Sequence, residues 1–501
     1  VKAHLVIAAV VGAVLAVPPL SATAAGVDQQ AGAAGAISVA ASADGVPQPG
    51  GIELDEQQPG DLSAATTLAP ATGDFASERA LILQQTNQLR AQNGLPPLRL
   101  NNALNDIAQD WSMQQARALT MSHRPNFTAM YPAGWSRASE NVAAGYSPSN
   151  VVAAWAGSPG HRANLLSSNT DIGIGVAMHP SGRIYYTQNF GRYSSAPPTP
   201  PGIVSRIAGS DRYSTSALIS TRAFPAGAST VYIASGANFP DALAAAALAG
   251  AADGPLLLVT PTSVPTVILT ELRRLGPDRI VVAGGPGVIS DAVLSTLRTV
   301  APVVNRVFGE NRFATSRALA LDAYGERGAS AVYLATGAGF ADALAAGPAA
   351  ASVDAPVVLV NGALPEIDAD TVALIERLGA TRVVIAGGTG AVSAGIESSL
   401  RMLGLSVQRY AGADRYSTAS LIASAHFPDA ANGFVATGTG FADALSGGAA
   451  AGALGAPLFT SNPACVPSPA HTALRNQNPD ALVLLGGFGA LLPTVAGFYR
   501  C

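Results

Sequence analysis

Lysine is nearly absent from this chain of 501 residues: Lys2 stands against 27 arginines. With no lysine beyond residue 2, the chain has neither a P-loop lysine nor a Schiff-base amine. Cysteine is almost as scarce, Cys465 and Cys501 being the full complement, which excludes a cysteine-rich zinc or iron–sulfur site. Charged residues make up 12% of the chain, about half the ~25% usual for soluble proteins. The net charge is −4, and no basic block argues for a nucleic-acid partner. What is abundant is small or apolar: 49% hydrophobic residues, 53 Gly and 35 Pro. At roughly 100–200 residues per domain, this length predicts about three to five units, with surfaces built from Ala, Gly, Ser and Thr.

Lys2 and His4 precede an apolar run from Leu5 to Leu20, broken by Pro18 and Pro19 and followed by Ala22-Thr23-Ala24. This pattern predicts a secretory signal peptide over 1–25. About 16 apolar residues ending in a proline pair are short for a membrane span, so none is expected after cleavage. No cysteine lies near the cleavage site, and Phe498-Tyr499-Arg500-Cys501 has neither a sorting pentapeptide nor an apolar tail. The chain is therefore expected to be exported without a covalent tether. Residues 26–74 carry Asp28, Asp44, Glu53, Asp55, Glu56, Asp61 and Asp74, no base and few large apolar residues, which predicts a disordered acidic linker.

A first globular unit is expected over 75–193, where Trp111, Trp135 and Trp155 lie. Helices are predicted at 77–93 and 102–119, the second after the capping pair Asn101-Asn102, and a further one at 149–155. Alternation of Ile172, Ile174 and Val176, and of Ile184, Tyr186, Gln188 and Phe190, around Pro180-Ser181-Gly182 predicts a β-hairpin. The unit contains Asn87-Gln88-Leu89-Arg90, Ser122-His123, Ser139-Glu140-Asn141-Val142-Ala143, Trp155, Ser158-Pro159-Gly160-His161-Arg162-Ala163-Asn164-Leu165 and Tyr186-Thr187-Gln188-Asn189-Phe190-Gly191. On these ordered motifs it resembles the bacterial branch of the CAP superfamily (cysteine-rich secretory, antigen 5 and pathogenesis-related proteins). The resemblance implies an α-β-α sandwich with a cleft above the sheet, in which two His and two Glu can hold a divalent metal.

His123 matches the first His of that tetrad and Glu140 the first Glu. The second Glu has no match, because 141–170 contains no acid, and Tyr186 stands at the final His position. His161 belongs to the bacterial-type motif and is expected to turn into the same cleft. Two readings stay open. His123, Glu140 and His161 hold a divalent metal with an open position, or they form a hydrogen-bonded pocket in which Tyr186 and Gln188 help to contact a ligand. No serine-nucleophile motif is present, so a hydrolase here would have to be acid–base or metal-assisted. The unit carries net charge +4, which suits an anionic ligand or is simply a scattered set of solvated arginines.

Pro197-Pro198-Thr199-Pro200-Pro201-Gly202 lies in a stiff linker over 194–202. After it the chain repeats itself. Arg206-Ile207-Ala208-Gly209-Ser210-Asp211-Arg212-Tyr213 returns as Arg306-Val307-Phe308-Gly309-Glu310-Asn311-Arg312-Phe313 and as Arg409-Tyr410-Ala411-Gly412-Ala413-Asp414-Arg415-Tyr416. Phe239-Pro240-Asp241-Ala242-Leu243 returns at Phe340 and Phe441, and Ala283-Gly284-Gly285 at Ala386 and Leu485. Three copies are delimited, 203–300, 301–403 and 404–501. Each alternates continuous apolar runs with Ala-rich stretches, which predicts small α/β units with parallel sheets covered on both faces and ligands at the carboxyl edge.

The copies resemble the type 2 cell-wall-binding repeat. That resemblance implies a pseudo-threefold trimer of α/β units gripping an anionic wall polymer. Arg212, Arg312 and Arg415 either contact that polymer or hold the copies together; both readings stay open. Asp241, Asp342 and Asp443 precede Ala-rich helices and are expected to cap them. Export predicts a Cys465–Cys501 disulfide closing a loop of 36 residues, stabilising by on the order of 3 kcal/mol. The whole reads as an α/β multidomain surface protein of a Gram-positive-type bacterium, anchored by its repeats and presenting a cleft to an unidentified ligand. The alternative is a metal-assisted or acid–base hydrolase using His123, Glu140 and His161.

Overall fold

Asn101 opens the first long-range element. Its side chain accepts the backbone N–H groups of Ala103 and Leu104 and so starts a helix that lies on a sheet. The computed structural model describes residues 75–501; the signal peptide expected at 1–25 and the acidic linker expected at 26–74 lie outside them. The first unit runs α1 (Ala76–Gln92), β1 (Arg99–Leu100), α2 (Asn102–Ala118), β2 (Trp135–Ala144), α3 (Val151–Gly157), α4 (Pro159–Leu165), β3 (Asp171–Met178) and β4 (Ile184–Tyr193). The helix predicted at 149–155 is thus the first of two. The chain turns extended at Ser158, as the residue before a proline tends to, and Pro159 starts α4 at a position that needs no N–H.

The sheet order is β1-β3-β4-β2, with β1 parallel to β3 and the other pairs antiparallel. Period-two alternation sorts the two faces. Ile172, Ile174 and Val176 of β3, with Tyr186 and Phe190 of β4, pack against Ile82 of α1, Val152 and Trp155 of α3 and Leu165 of α4. On the opposite face Gly173 and Gly175 leave room for the backbone of α2: a Cβ at either would overlap the carbonyl groups of Leu104 or Ala108. The result is an α-β-α sandwich.

The first copy runs β5 (Ile203–Ile207), α5 (Arg212–Ala223), β6 (Thr230–Ser235), α6 (Pro240–Ala251), β7 (Leu256–Val259), α7 (Thr266–Leu275), β8 (Arg279–Ala283) and α8 (Asp291–Leu297). The second runs β9 (Val303–Val307), α9 (Arg312–Tyr324), β10 (Ala331–Thr336), α10 (Ala341–Ser352), β11 (Val357–Val360), α11 (Ala369–Leu378), β12 (Arg382–Ala386) and α12 (Ala394–Met402). The third runs β13 (Ser406–Tyr410), α13 (Arg415–His426), β14 (Asn432–Thr437), α14 (Ala442–Ala453), β15 (Leu458–Ser461), α15 (Ser468–Gln477), β16 (Ala481–Leu485) and α16 (Pro493–Ala496).

In the three copies every sheet is parallel and borrows a strand. The orders are β7-β6-β8-β9, β11-β10-β12-β13 and β15-β14-β16-β5. Each sheet therefore ends on the first strand of the following copy, and the last is closed by the first strand of all, with Ala481 opposite Ile203 and Leu485 opposite Ile207. The three-copy ring is locked by a pairing that spans its whole sequence.

α6, α10 and α14 pack on one another about the pseudo-threefold axis. They are buried all round, from Ala242 to Gly250, Ala343 to Ala351 and Ala444 to Gly452. A helix apolar on every side belongs in a core, and Ala and Gly side chains let three such helices approach closely; Gly452 lies against Gly250 and Ala351. The alanine-rich composition is thus a packing requirement of the axis. Cys465 and Cys501 form the disulfide, with Cα atoms 5.1 Å apart. Among the described residues no helix is long and apolar enough to cross a membrane.

Candidate functional site

Glu140 and Asn141 are successive residues of β2, so their side chains leave the sheet on opposite faces. Glu140 lies opposite Asn189 of β4 and is fully buried. Its Oε1 is 2.8 Å from His123 Nδ1 and accepts the Arg124 backbone N–H at 3.0 Å, and its Oε2 accepts Asn189 Nδ2 at 3.3 Å. A carboxylate at Nδ1 places the ring proton there and leaves Nε2 as the basic nitrogen. The His123 side chain retains 22% exposure, so an oriented imidazole backed by a buried carboxylate is accessible from outside.

His161 is not part of that pair. It sits on α4, which packs on the other face of the sheet, where its carbonyl accepts Asn141 Nδ2 at 3.3 Å. Its ring is buried, with Nδ1 2.9 Å from Ser158 Oγ. The expectation that it turns into the cleft is corrected: the alternation along β2 puts Glu140 and the His161 helix on opposite sides. Among the described residues no three His, Cys, Asp or Glu side chains form a group able to hold a metal ion. The donor set does not fit one either, because the oxygens of Glu140 already accept three donors.

Tyr186 and Gln188 are corrected in the same way. Both are fully buried, on the face that meets α1 and α3. Tyr186 donates to Tyr146 O at 2.8 Å and meets Trp155 edge-on, and burial, reinforced by Glu78, pushes its phenol well above the ordinary range. Gln188 donates to Thr86 Oγ1 at 3.1 Å and accepts from Asn141 at 3.3 Å. Asn164 donates to Asn141 Oδ1 at 2.9 Å and to the Glu140 carbonyl at 3.2 Å. Asn141, Asn164, Tyr186 and Gln188, all motif residues, thus form a buried polar network that holds the sandwich together.

The three repeated arginines occupy equivalent places at the copy junctions. Arg212 stacks over Phe441 of the third copy at 5.7 Å, Arg312 over Phe239 of the first at 5.8 Å and Arg415 over Phe340 of the second at 5.7 Å. Each donates to a carbonyl just past a strand of its own copy, those of Gly236, Gly337 and Gly438. The three phenylalanines meet at the axis with centroids 5.5–6.0 Å apart. The arginines therefore do hold neighbouring copies together, and they also remain solvent-exposed.

Asp241, Asp342 and Asp443 are not N-caps. The cap positions are Phe239, Phe340 and Phe441, with no side-chain cap bond, and each Asp lies in the first turn. Burial raises all three carboxyls, against the lowering influence of Arg312, Arg415 and Arg212 of the adjoining copies; Thr315 and Thr418 hydrogen-bond to the first two. Gly284, Gly387 and Gly486, at φ +120°, +115° and +96°, lie against these carboxylates, where a Cβ would strike Oδ2. The Gly-Gly turns are thus shaped around the aspartates. Each junction presents an exposed guanidinium on an aromatic ring beside a half-hidden carboxyl, at the carboxyl edge of a parallel sheet.

One contact had only a weak signal in the sequence. Arg306 closes on Asp291 of α8 and Arg409 on Glu397 of α12, each within its own sheet unit. The corresponding helix for Arg206 is α16, and 493–496 holds no acid. Arg206 turns instead to the first unit, gripping both oxygens of Asp106 on α2 at 3.0 and 2.6 Å. Phe488, where the other copies have Pro286 and Thr389, lies between the Arg206 and Arg124 guanidiniums at 4.9 and 5.3 Å, and Arg124 pairs with Asp110 at 2.9 Å. The missing acid and the extra aromatic in an otherwise regular repeat mark where the first unit docks.

The family model described as cell wall binding domain 2 (CWB2) matches residues 206–294, 306–397 and 409–496. That of the cysteine-rich secretory protein family, CAP, matches 83–190. N-acetylmuramoyl-L-alanine amidase LytC of Bacillus subtilis (strain 168) is 27% identical over 293 residues, 58% of this chain and 57% of that protein. Cwp8 from Clostridium difficile is similar in structure at TM-score 0.53 and 26% identity, over 59% of this chain and 51% of that one. Cwp6 from the same organism, at TM-score 0.56 and 24% identity over 62% and 49%, has the same fold in the shared part. The chain spans about half the length of the curated relatives it matches.

Proposed function

This chain belongs to the cell wall binding domain 2 family, with a CAP domain ahead of three copies, and on that premise we propose how it works: it is an exported surface protein of a Gram-positive bacterium, held non-covalently on the wall by an anionic polymer at the three copy junctions, and its His123–Glu140 cleft faces a ligand. The observation that carries the anchoring is the threefold recurrence of an exposed arginine on a neighbour's phenylalanine. Residues 203–501 carry net charge −2, so attraction cannot come from bulk charge. It comes from the guanidinium forks, which suit phosphate or carboxylate, and from the N-termini of α6, α10 and α14 converging beside them.

The aspartates set the pH dependence. An ionised carboxylate at each junction repels an arriving anion. Burial raises these carboxyls, so they become neutral earlier than ordinary ones as pH falls. Co-sedimentation of the full chain with purified walls is expected to succeed with native walls, to fail with walls stripped of secondary polymer by acid, and to strengthen from neutral toward mildly acidic pH. Equal binding to both wall preparations, or weakening on acidification, would count against junction binding.

A second reading rests on the His123–Glu140 pair alone: acid–base hydrolysis without metal, with His123 Nε2 as the base and Glu140 stabilising the imidazolium. His123→Ala separates the two. Loss of a hydrolytic activity on wall fragments with an unchanged unfolding curve would favour the enzyme. Wild-type activity in that variant would end the second reading.

A further inference from the structure

Residues 493–501 of the third copy lie against the CAP domain. Their helix, α16, packs on α2, and Gly497 comes so near that a Cβ there would stand 3.0 Å from the Ala103 Cβ. Tyr499 carries its phenol to the Asn101 side chain. Asn101 Oδ1 caps α2 by accepting the Ala103 and Leu104 N–H groups. Its buried Nδ2 has no other hydrogen-bond partner among the described residues. One short segment of the anchor therefore meets the start of the helix that lies on the CAP sheet.

What holds that segment is local to the third copy. Residues 497–501 belong to no helix or sheet strand. A single bridge sets Val466 beside Arg500, next to the Cys465–Cys501 bond. Val466 N–H donates to Tyr499 O at 2.7 Å, and Cys501 N–H to Val466 O at 3.1 Å. Phe498 is buried, with the His471 ring stacked on it at 4.4 Å. Its φ of +59° lies in the left-handed region, which a bulky residue keeps only where its surroundings over-determine it. This turn sends Phe498 into the third copy and Tyr499 toward the CAP domain, and the disulfide fixes it two residues beyond Tyr499.

We propose that the Cys465–Cys501 bond is a redox latch on the CAP domain: closed, it holds Tyr499 beside Asn101 at the start of α2, and opened, it releases residues 497–501 and loosens the joint there. Closing takes two electrons and two protons from the two thiols and passes them to a disulfide exchange partner, which leaves as a dithiol. Opening is the reverse. A dithiol's thiolate attacks the sulfur of Cys501, an exposed residue, and the Cys465 thiolate leaves and takes up a proton. The second thiol of the reductant then resolves the mixed disulfide, so that Cys501 becomes a thiol and the reductant a disulfide. Arg206 stays on Asp106 and Phe488 throughout, so opening relaxes one edge of the joint without undocking the CAP domain. Full docking is thereby confined to an oxidising compartment.

The test is amide hydrogen exchange on the full chain, with and without dithiothreitol. Reduction is expected to speed exchange of the 103–107 amides about tenfold, equivalent to ~1.4 kcal/mol of local protection. Amides of 242–250, on the buried axis helix α6, should keep their rates and so report an intact ring. The double variant Cys465→Ser, Cys501→Ser should behave as the reduced chain does and ignore dithiothreitol. Tyr499→Ala with the disulfide closed should reproduce the acceleration. Reducing that variant should add nothing, because both changes remove one contact. Unchanged exchange at 103–107 on reduction would overturn the proposal. So would equal acceleration at 242–250, since the disulfide would then support the ring at large. Additive effects of reduction and Tyr499→Ala would also overturn it, by placing the action of the disulfide away from Tyr499.

Discussion

Asp106→Ala is expected to destabilise the docked CAP domain by about 3–5 kcal/mol, the range for removing one partner of a buried ion pair. The Asp106 and Arg206 side chains are 9% and 4% exposed, so the arginine left behind would be a buried charge short of its counterion. Its bond to Gly486 O at 2.7 Å and its stacking on Phe488 would remain, which places the expected loss toward the lower end. Asp291→Ala is the internal comparison. There the Asp is 84% exposed and the Arg306 side chain 10%, and such a pair is worth roughly 0–1 kcal/mol. Denaturant unfolding followed by tryptophan fluorescence reads the first unit, since all three tryptophans lie in it. Proteolysis within 194–202 reads the opening of the joint. Near-equal effects of the two substitutions would show that Arg206 does not depend on the CAP domain.

Replacing Arg212, Arg312 and Arg415 together by lysine is expected to abolish retention on the wall while leaving the ring folded. Lysine keeps the charge and much of the stacking, so the structural loss stays near the ~0.5–1 kcal/mol of an exposed cation–π contact at each junction. It lacks the planar fork that engages an anion with two bonds. Three sites on one polymer multiply affinity by roughly 10²–10⁴ through effective concentration. A single Arg312→Lys is therefore expected to cost about tenfold or more in wall affinity, and the triple variant all measurable binding. Co-sedimentation with native walls and a thermal melt of the same samples separate the two roles. Wall binding that survives the triple change would make these arginines purely structural, and binding lost only in step with unfolding would say the same.

The copies were legible because each repeats the same residues at the same spacing, and continuous apolar runs alternating with Ala-rich stretches specify parallel strands and buried helices locally. The sandwich was legible for a similar reason: β3 and β4 alternate, and Asn101 marks the start of α2. The His123–Glu140 pair followed from motif order. His161, Tyr186 and Gln188 did not, because a motif names residues without naming the face on which they emerge. One step along β2 separates Glu140 from Asn141, and with it a cleft from a core.

Composition, periodicity and repetition, all properties of neighbouring residues, determined the domain types, the three copies, the Ala-rich axis and the pairing of the two available cysteines. Tertiary structure alone decided the rest. It closed the ring by seating β5 beside β16, gave Arg206 a partner in another domain, and set each junction arginine on the preceding copy's phenylalanine around the ring. Each of these joins residues distant in sequence. Their meeting depends on how whole units pack, and no local pattern encodes which distant surface will arrive.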